Sequence, residues 1–409
     1  MAKPKLALIP AAQGDKFYSV LPSDGVGDFD FTRGSSATRI NAQGLIETVA
    51  DTSSRLNYDL LNGKVVNCPH YLLEPASTNI FSYSENFTNS YWTKSGSSVL
   101  ADVITSPDGS LNADKIVEDT STASHNVFRN SSTVTLASHT FSCFVKTNGR
   151  NIKLDFFGGT NNAIFNLTSG IVISTNGTGL TAKIEKLLNG WYRCSITQVQ
   201  TATTIYPNIL CVDNSNNSTY QGDGTSGVYI WGAQLEAGSY PTSYIPTNGT
   251  AITRAAETAN GSGDAATFND SEGVLMAEIS ALADDSTNRY ISISDGTSAN
   301  RINIFFSSSN TLKGLVRPGT GSISSNVNIL LFNKSAYKYK SGNDAFWVNG
   351  FKVGVNTNTT IPSGLNELSF DLANGQNFYG NTREVQYFDS VLTDAQLETL
   401  TSWTSLQEM

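Results

Sequence analysis

The chain has 409 residues, a net charge of -9, only 15% charged residues and 34 glycines. That length suits two or three domains. Leu, Ala, Glu and Lys do not dominate, which argues against a helix-rich protein, and 20 Phe, 16 Tyr and 5 Trp argue against disorder. The acidic balance, with no basic run, disfavours nucleic acid as a partner, and no stretch of 18 apolar residues is present to span a membrane.

In chain order, Met1 to Pro10 holds a short apolar patch interrupted by Pro10, too short for a secretory leader. Residues 1–75 show frequent turn signals and no lasting period, with a short β piece at 45–49, so an irregular segment that packs on another domain or subunit is expected. Residues 76–250 read as eight to ten strands of four to eight residues with Gly, Asn and Ser turns between: 113–117, 141–146, 152–156, 164–167, 171–174, 180–187, 191–196, 205–212 and 228–235. Such spacing is that of a two-sheet jelly roll. Residues 251–263 look like a linker rich in small residues.

A second series follows at 273–279, 289–294, 300–306, 311–317, 327–332, 337–340, 345–350, 351–355, 368–372 and 382–388. Asn349-Gly350 between two apolar runs predicts a type I′ hairpin. The persuasive helix is the last element, 390–400, with Thr393 as N-cap and Gln396 completing a capping box. The fold class expected is therefore all-β: two tandem antiparallel β-sandwiches, 76–250 and 264–409, after an irregular N-terminal segment. Cys68, Cys143, Cys194 and Cys211 are widely spaced without a CxxC, and free thiols are expected.

Three stretches carry a resemblance. Leu72-Leu-Glu-Pro-Ala-Ser-Thr-Asn79, Tyr83-Ser-Glu-Asn-Phe87 and Phe31-Thr-Arg-Gly-Ser-Ser-Ala-Thr-Arg39 resemble a module of tailed-phage structural proteins. Asn189-Gly-Trp-Tyr-Arg193, Trp231-Gly-Ala-Gln-Leu-Glu236 and Tyr240-Pro-Thr-Ser-Tyr-Ile-Pro246 look like a carbohydrate-binding-module jelly roll. Ala345-Phe-Trp-Val-Asn-Gly350 with Glu384-Val-Gln-Tyr-Phe-Asp389 looks like the end of a concanavalin A or laminin G type lectin domain. The resemblance implies a virion protein, fibre or decoration, exposed on the particle exterior and released by lysis. It implies contacts to other virion proteins through residues 1–75, a homo-oligomer, with a trimer as the guess by analogy, and adhesion to glycans.

No strand carries alternating carboxylates of the kind a glycosidase needs. His70, His125 and His139 lack zinc spacing. The chain is read as a non-enzyme. Sugar binding needs an aromatic face beside amides and carboxylates, which selects Tyr206, then Tyr220 with Gln221 and Asp223, then Tyr379 with Asn377 and Asn381. Calcium, which takes oxygen ligands, is a further candidate at Asp213 and Asp223 and at Asp295, against a reading of the same residues as turn formers. Trp92, Trp191 and Trp231 are read as core. The function expected is adhesion to host-surface or environmental glycans; the alternatives are a decoration protein without a glycan ligand and a polysaccharide depolymerase.

Overall fold

A computed structural model describes residues 2–66, 68–156, 159–372 and 375–403. Strands dominate, and they build two β-sandwiches in tandem. The first sandwich pairs two six-stranded antiparallel sheets. One runs in the order Thr93–Ser95, Asn126–Phe128, Asn208–Val212, Asn151–Asp155, Asn162–Asn166, Ile171–Asn176. The other runs Ser97–Thr105, Leu111–Glu118, Gly227–Ala237, Ser138–Asn148, Tyr192–Val199, Thr181–Lys186. Ile152, Leu154, Phe165, Phe141, Cys143, Cys194, Cys211 and Ile230 close on one another between them, with Trp92 at one end. Cys143, Cys194 and Cys211 are buried free thiols and Cys68 is an exposed one.

The second sandwich faces a five-stranded sheet against a larger one. The five strands are ordered Ile323–Ser325, Leu312–Arg317, Arg301–Phe306, Arg289–Ser294, Glu367–Ser369. The larger sheet contains Glu272–Ala281 between Gly380–Phe388 and Asn333–Lys340, then Asp344–Val348 and Phe351–Asn356. Gly314 faces Tyr337 so closely that a Cβ there would sit 2.3 Å from the ring, so the two sheets can approach only over a glycine. Asn349 and Gly350 have φ of 51° and 86°, the paired positive values a type I′ turn demands. Helix Asp394–Thr401 carries the expected capping box at Thr393 and Gln396 and packs Leu397 near Trp347 and Phe388.

Three stretches differ from the sequence reading. Residues 1–75 are not irregular: Leu6–Gln13, Lys16–Leu21 and Phe29–Thr32 extend the large sheet, with Leu6 opposite Tyr387 and Leu8 opposite Val385. Phe17, Phe29 and Phe31 enter the same core, and Phe17 stacks on Tyr71 at 3.9 Å. Leu6–Gln13 is apolar almost throughout and interrupted by Pro10, so it shows no alternation, and one of its pairing partners, Gly380–Phe388, lies at the far end of the chain. Residues 251–263 hold Ile252–Arg254, paired with Ser77–Asn79, and Thr258–Asn260, paired with Phe29–Thr32. Residues 327–332 form no strand, because Asn328 Oδ1 accepts the Leu330 N–H and its carbonyl accepts Asn333 Nδ2, a local turn that competes with a ladder.

Where the sandwiches meet, five charged side chains are buried together: Arg33, Arg55, Arg254, Glu74 and Glu257. Arg33 Nη1 donates to Glu257 at 2.7 Å, and Arg55 Nη2 lies 2.8 Å from Glu74. Burial by itself would raise the Glu74 carboxyl, but Arg254 and Arg55 hold it down to about 2. Beside this cluster Gln234 and Glu236 clasp the 240–246 stretch: Ile245 N donates to Gln234, and Thr242 N and Oγ donate to Glu236.

Candidate functional site

The residues selected from sequence do not form one platform. Tyr220 is only 9% exposed, its hydroxyl donates to the buried Glu118 at 2.6 Å, and the Arg150 guanidinium covers its ring at 5.2 Å. It is a packing residue, which removes it from a sugar face. Gln221 is exposed beside it, and Asp223 accepts the backbone N–H groups of Thr225 and Ser226. Tyr206 is 41% exposed but lies at the other end of strand 208–212 from Tyr220, with its N–H on the Phe156 carbonyl. Tyr379 is half-buried and takes a hydrogen bond from Asn377 at 2.8 Å, while Asn381 turns to Ser280 and lines a groove between the sandwiches.

The calcium candidates are turn carboxylates. Asp213 accepts Ser215 N and Asn217 N, and Asp295 accepts Thr297 N and Asn300 Nδ2. These bonds, led in each case against the cost of burial, hold both carboxyls below their ordinary value. Among the described residues no group of three His, Cys, Asp or Glu is gathered as metal ligands.

A different face sets an aromatic ring beside cationic side chains. In the five-stranded sheet, Ile291, Ile293, Ile302, Ile304, Leu312 and Val316 point into the core. Side chains alternate along a strand, so Tyr290, Ser292, Arg301, Asn303, Phe305, Lys313, Leu315 and Arg317 lie on the other side; Ser292, Asn303, Phe305 and Leu315 are buried there, and Tyr290, Arg301, Lys313 and Arg317 are half-buried and present the accessible part of the face. Register arranges them in three rows. Tyr290, Phe305 and Lys313 are neighbours across the strands; Ser369, Ser292, Asn303 and Leu315 form the middle row; Glu367, Ser294, Arg301 and Arg317 form the third.

The Tyr290 and Phe305 rings stack with centroids 4.6 Å apart and an interplanar angle of 19°. Asn303 is fully buried in the floor of the face; its Oδ1 accepts Arg301 Nε at 2.7 Å, and its Nδ2 has no hydrogen-bond partner. An amide donor left so is costly, by about 1–3 kcal/mol. Burial, then the nearby Arg317, lowers the Arg301 guanidinium below its ordinary value. The strands carrying this face were legible as alternating runs; which set of alternate residues faced outward was not.

Two recesses complete the surface. A groove of about 500 Å³ lies at the junction of the sandwiches, lined among others by Tyr58, His70, Arg193, Tyr240 and Asn381. A recess of about 390 Å³ on the first sandwich is lined by Glu85, Asp102, Asn112, Asp114 and Thr247. Burial raises both Glu85 and Asp114. Each already accepts hydrogen bonds: Asp114 from the backbone of Phe87 and Asp102, and Glu85 from the Tyr244 hydroxyl.

No protein-family model matches the chain, and no curated protein matches it in sequence. Among solved structures it is similar to the CBM40 of the Ruminococcus gnavus IT-sialidase bound to α2,3-sialyllactose, with 15% identity over 33% of this chain and 84% of that one and a TM-score of 0.29. It is similar to a heptameric SAP-like pentraxin from Limulus polyphemus, with 17% identity over 33% and 72% and a TM-score of 0.27. It is also similar to domains LG4-5 of the mouse laminin α1 chain, with 12% identity over 81% and 92% and a TM-score of 0.22. At these TM-scores the likeness does not reach a ligand, and the binding surface is read from this chain's own residues.

Proposed function

We propose that the chain is a glycan-binding adhesion protein that acts without chemistry, through the outer face of the five-stranded sheet. The observation that carries this is the half-buried Tyr290 ring, backed by the buried Phe305 ring it stacks on, on the same face as the half-buried Arg301, Lys313 and Arg317. An aromatic surface covers the apolar side of a sugar ring, and planar donors satisfy its hydroxyls. Contacts of this kind are weak singly and gain strength from many copies. Placement on the outside of a tailed-phage particle, attachment through residues 1–75 and assembly as a trimer belong to the same proposal; they are supported by the resemblance of 31–39 and 72–87 to phage structural proteins.

The test is to display the full chain on beads and probe a glycan array, with Tyr290→Ala and Phe305→Ala as variants. Binding by the parent and loss in both variants is expected. Binding to purified particles with no glycan retained would favour the decoration reading instead. A mass-spectrometric inventory of particles checks the location.

Polysaccharide cleavage is a second reading with one observation in its favour, the raised carboxyls of Glu85 and Asp114 in a shared recess. Asp114 is committed to two backbone N–H groups, so adhesion ranks first. Reducing ends released from capsule by the parent and not by Glu85→Gln would reverse the order.

A further inference from the structure

The charges on this face narrow the ligand. Nine Lys and Arg lie between residues 264 and 403. Six have an acidic partner: Arg289 with Asp285, Lys334 with Glu278, Lys338 and Lys352 with Asp394, Lys340 with Glu272, and Arg383 with Asp59 and Glu278. The remaining three, Arg301, Lys313 and Arg317, make no ion pair among the described residues, and all three lie on the outer face of the five-stranded sheet. Arg301 and Arg317 are direct cross-strand partners, at a spacing where like charges repel. The acids nearby are engaged elsewhere. Glu367 stands two strands from Arg301 and accepts the Ser369 hydroxyl, and Asp295 is held by Thr297 and Asn300. In a chain of net charge -9, this concentrates uncompensated positive charge beside an aromatic pair.

We infer that the face takes an acidic oligosaccharide, its carboxylate or sulfate seated between Arg301 and Arg317 and a neighbouring sugar ring on Tyr290, which the buried Phe305 ring backs. The guanidinium fork fits either anion with paired hydrogen bonds. Arg317 is held for this by its Nη1, which donates to the Gly319 carbonyl at 2.7 Å, and Arg301 by its bond to Asn303. Residues 301 and 305 are about 13 Å apart along an extended strand, further than one sugar ring spans, so at least two linked sugars are required. This rests on the glycan reading above.

The test uses the full chain on an array of matched pairs: sialylated and asialo glycans, sulfated and unsulfated ones, uronate and neutral homopolymers, with poly-glutamate as a protein-like polyanion. The expected result is retention of the acidic member of at least one pair, weakened by added salt, with Arg301→Gln and Arg317→Gln each losing about 10-fold or more. The pair retained tells carboxylate from sulfate. Lys313→Gln, whose side chain makes no hydrogen bond or ion pair among the described residues, supplies the same readout if an arginine variant loses its fold; a loss of a few fold is expected. Preference for neutral members, indifference to the substitutions, or equal capture of poly-glutamate would overturn the acidic assignment while leaving glycan binding in place. No retention of any glycan would sink both.

Discussion

Arg55 and Glu257 form a fork in the joint between the sandwiches: Arg55 Nε donates to one carboxylate oxygen at 2.8 Å and Nη2 to the other, with both side chains fully buried. Burial alone would lower the Arg55 guanidinium, yet Glu257 and Glu74 raise it well above its ordinary value. Glu257 also takes Arg33 Nη1 and the Glu74 N–H. Glu257→Gln would leave three buried arginines, Arg33, Arg55 and Arg254, against one remaining carboxylate, Glu74. A loss of about 3–5 kcal/mol in urea unfolding is expected, and a change below 1 kcal/mol would show that the joint is not held by charge.

His70 offers a pH dependence with a definite sign. It is 1% exposed, its Nδ1 has no hydrogen-bond partner, and Asp59 lies 3.6 Å away. Burial pushes it down to about 4, against the pull of Asp59. The unfolded chain therefore binds a proton near pH 6.5 that the folded chain refuses until about pH 4. Its contribution is present above pH 6.5 and is lost as pH falls to 4, amounting to about 3 kcal/mol. Melting followed from pH 7 to 4 should show this loss, and His70→Gln should flatten the curve above pH 5, where carboxylates have yet to protonate.

The N-terminal strands are part of the second sandwich and not a detachable arm. Strand Leu6–Gln13 sits between Lys16–Leu21 and Gly380–Phe388. Removing residues 1–21 would uncover the Gly380–Phe388 strand and strip Leu6, Leu8 and Phe17 from the core. Aggregation, or a second sandwich that melts well below the intact chain, is expected; a soluble truncation with unchanged melting would contradict the pairing of Leu8 with Val385.

Tyr220→Phe removes the hydroxyl that Glu118 accepts, while Arg150 and the Asp223 N–H still hold that carboxylate. A cost of about 1–2 kcal/mol in stability and unchanged glycan retention are expected. Lost retention with unchanged stability would return Tyr220 to the binding surface.

Much of the fold could be read from local pattern because local physics sets it. Alternation placed strands such as Arg289–Ser294 and Arg301–Phe306, Asn349-Gly350 set its hairpin, and Thr393 with Gln396 started the helix. The stretches 31–39, 72–79, 231–236 and 240–246, which carried the family resemblance, supply Arg33, Glu74, Gln234, Glu236 and Thr242 to the joint, so the recognisable sequence marks a structural clasp and not the ligand face.

The site was harder to see. A period of two says which residues share a face but not which face meets water; that depends on where the opposing sheet lies. Tyr220 sits in a stretch of loop residues and is packed under Arg150, whereas Tyr290, inside an apolar-looking strand, lies half-buried on the face turned away from the core. The sequence by itself determined strands, turns and an acidic, aromatic-rich all-β chain. Only the tertiary structure decided that Leu8 pairs with Val385 and that Arg301 faces Arg317, because sheet register brings together residues whose separation along the chain carries no local signal.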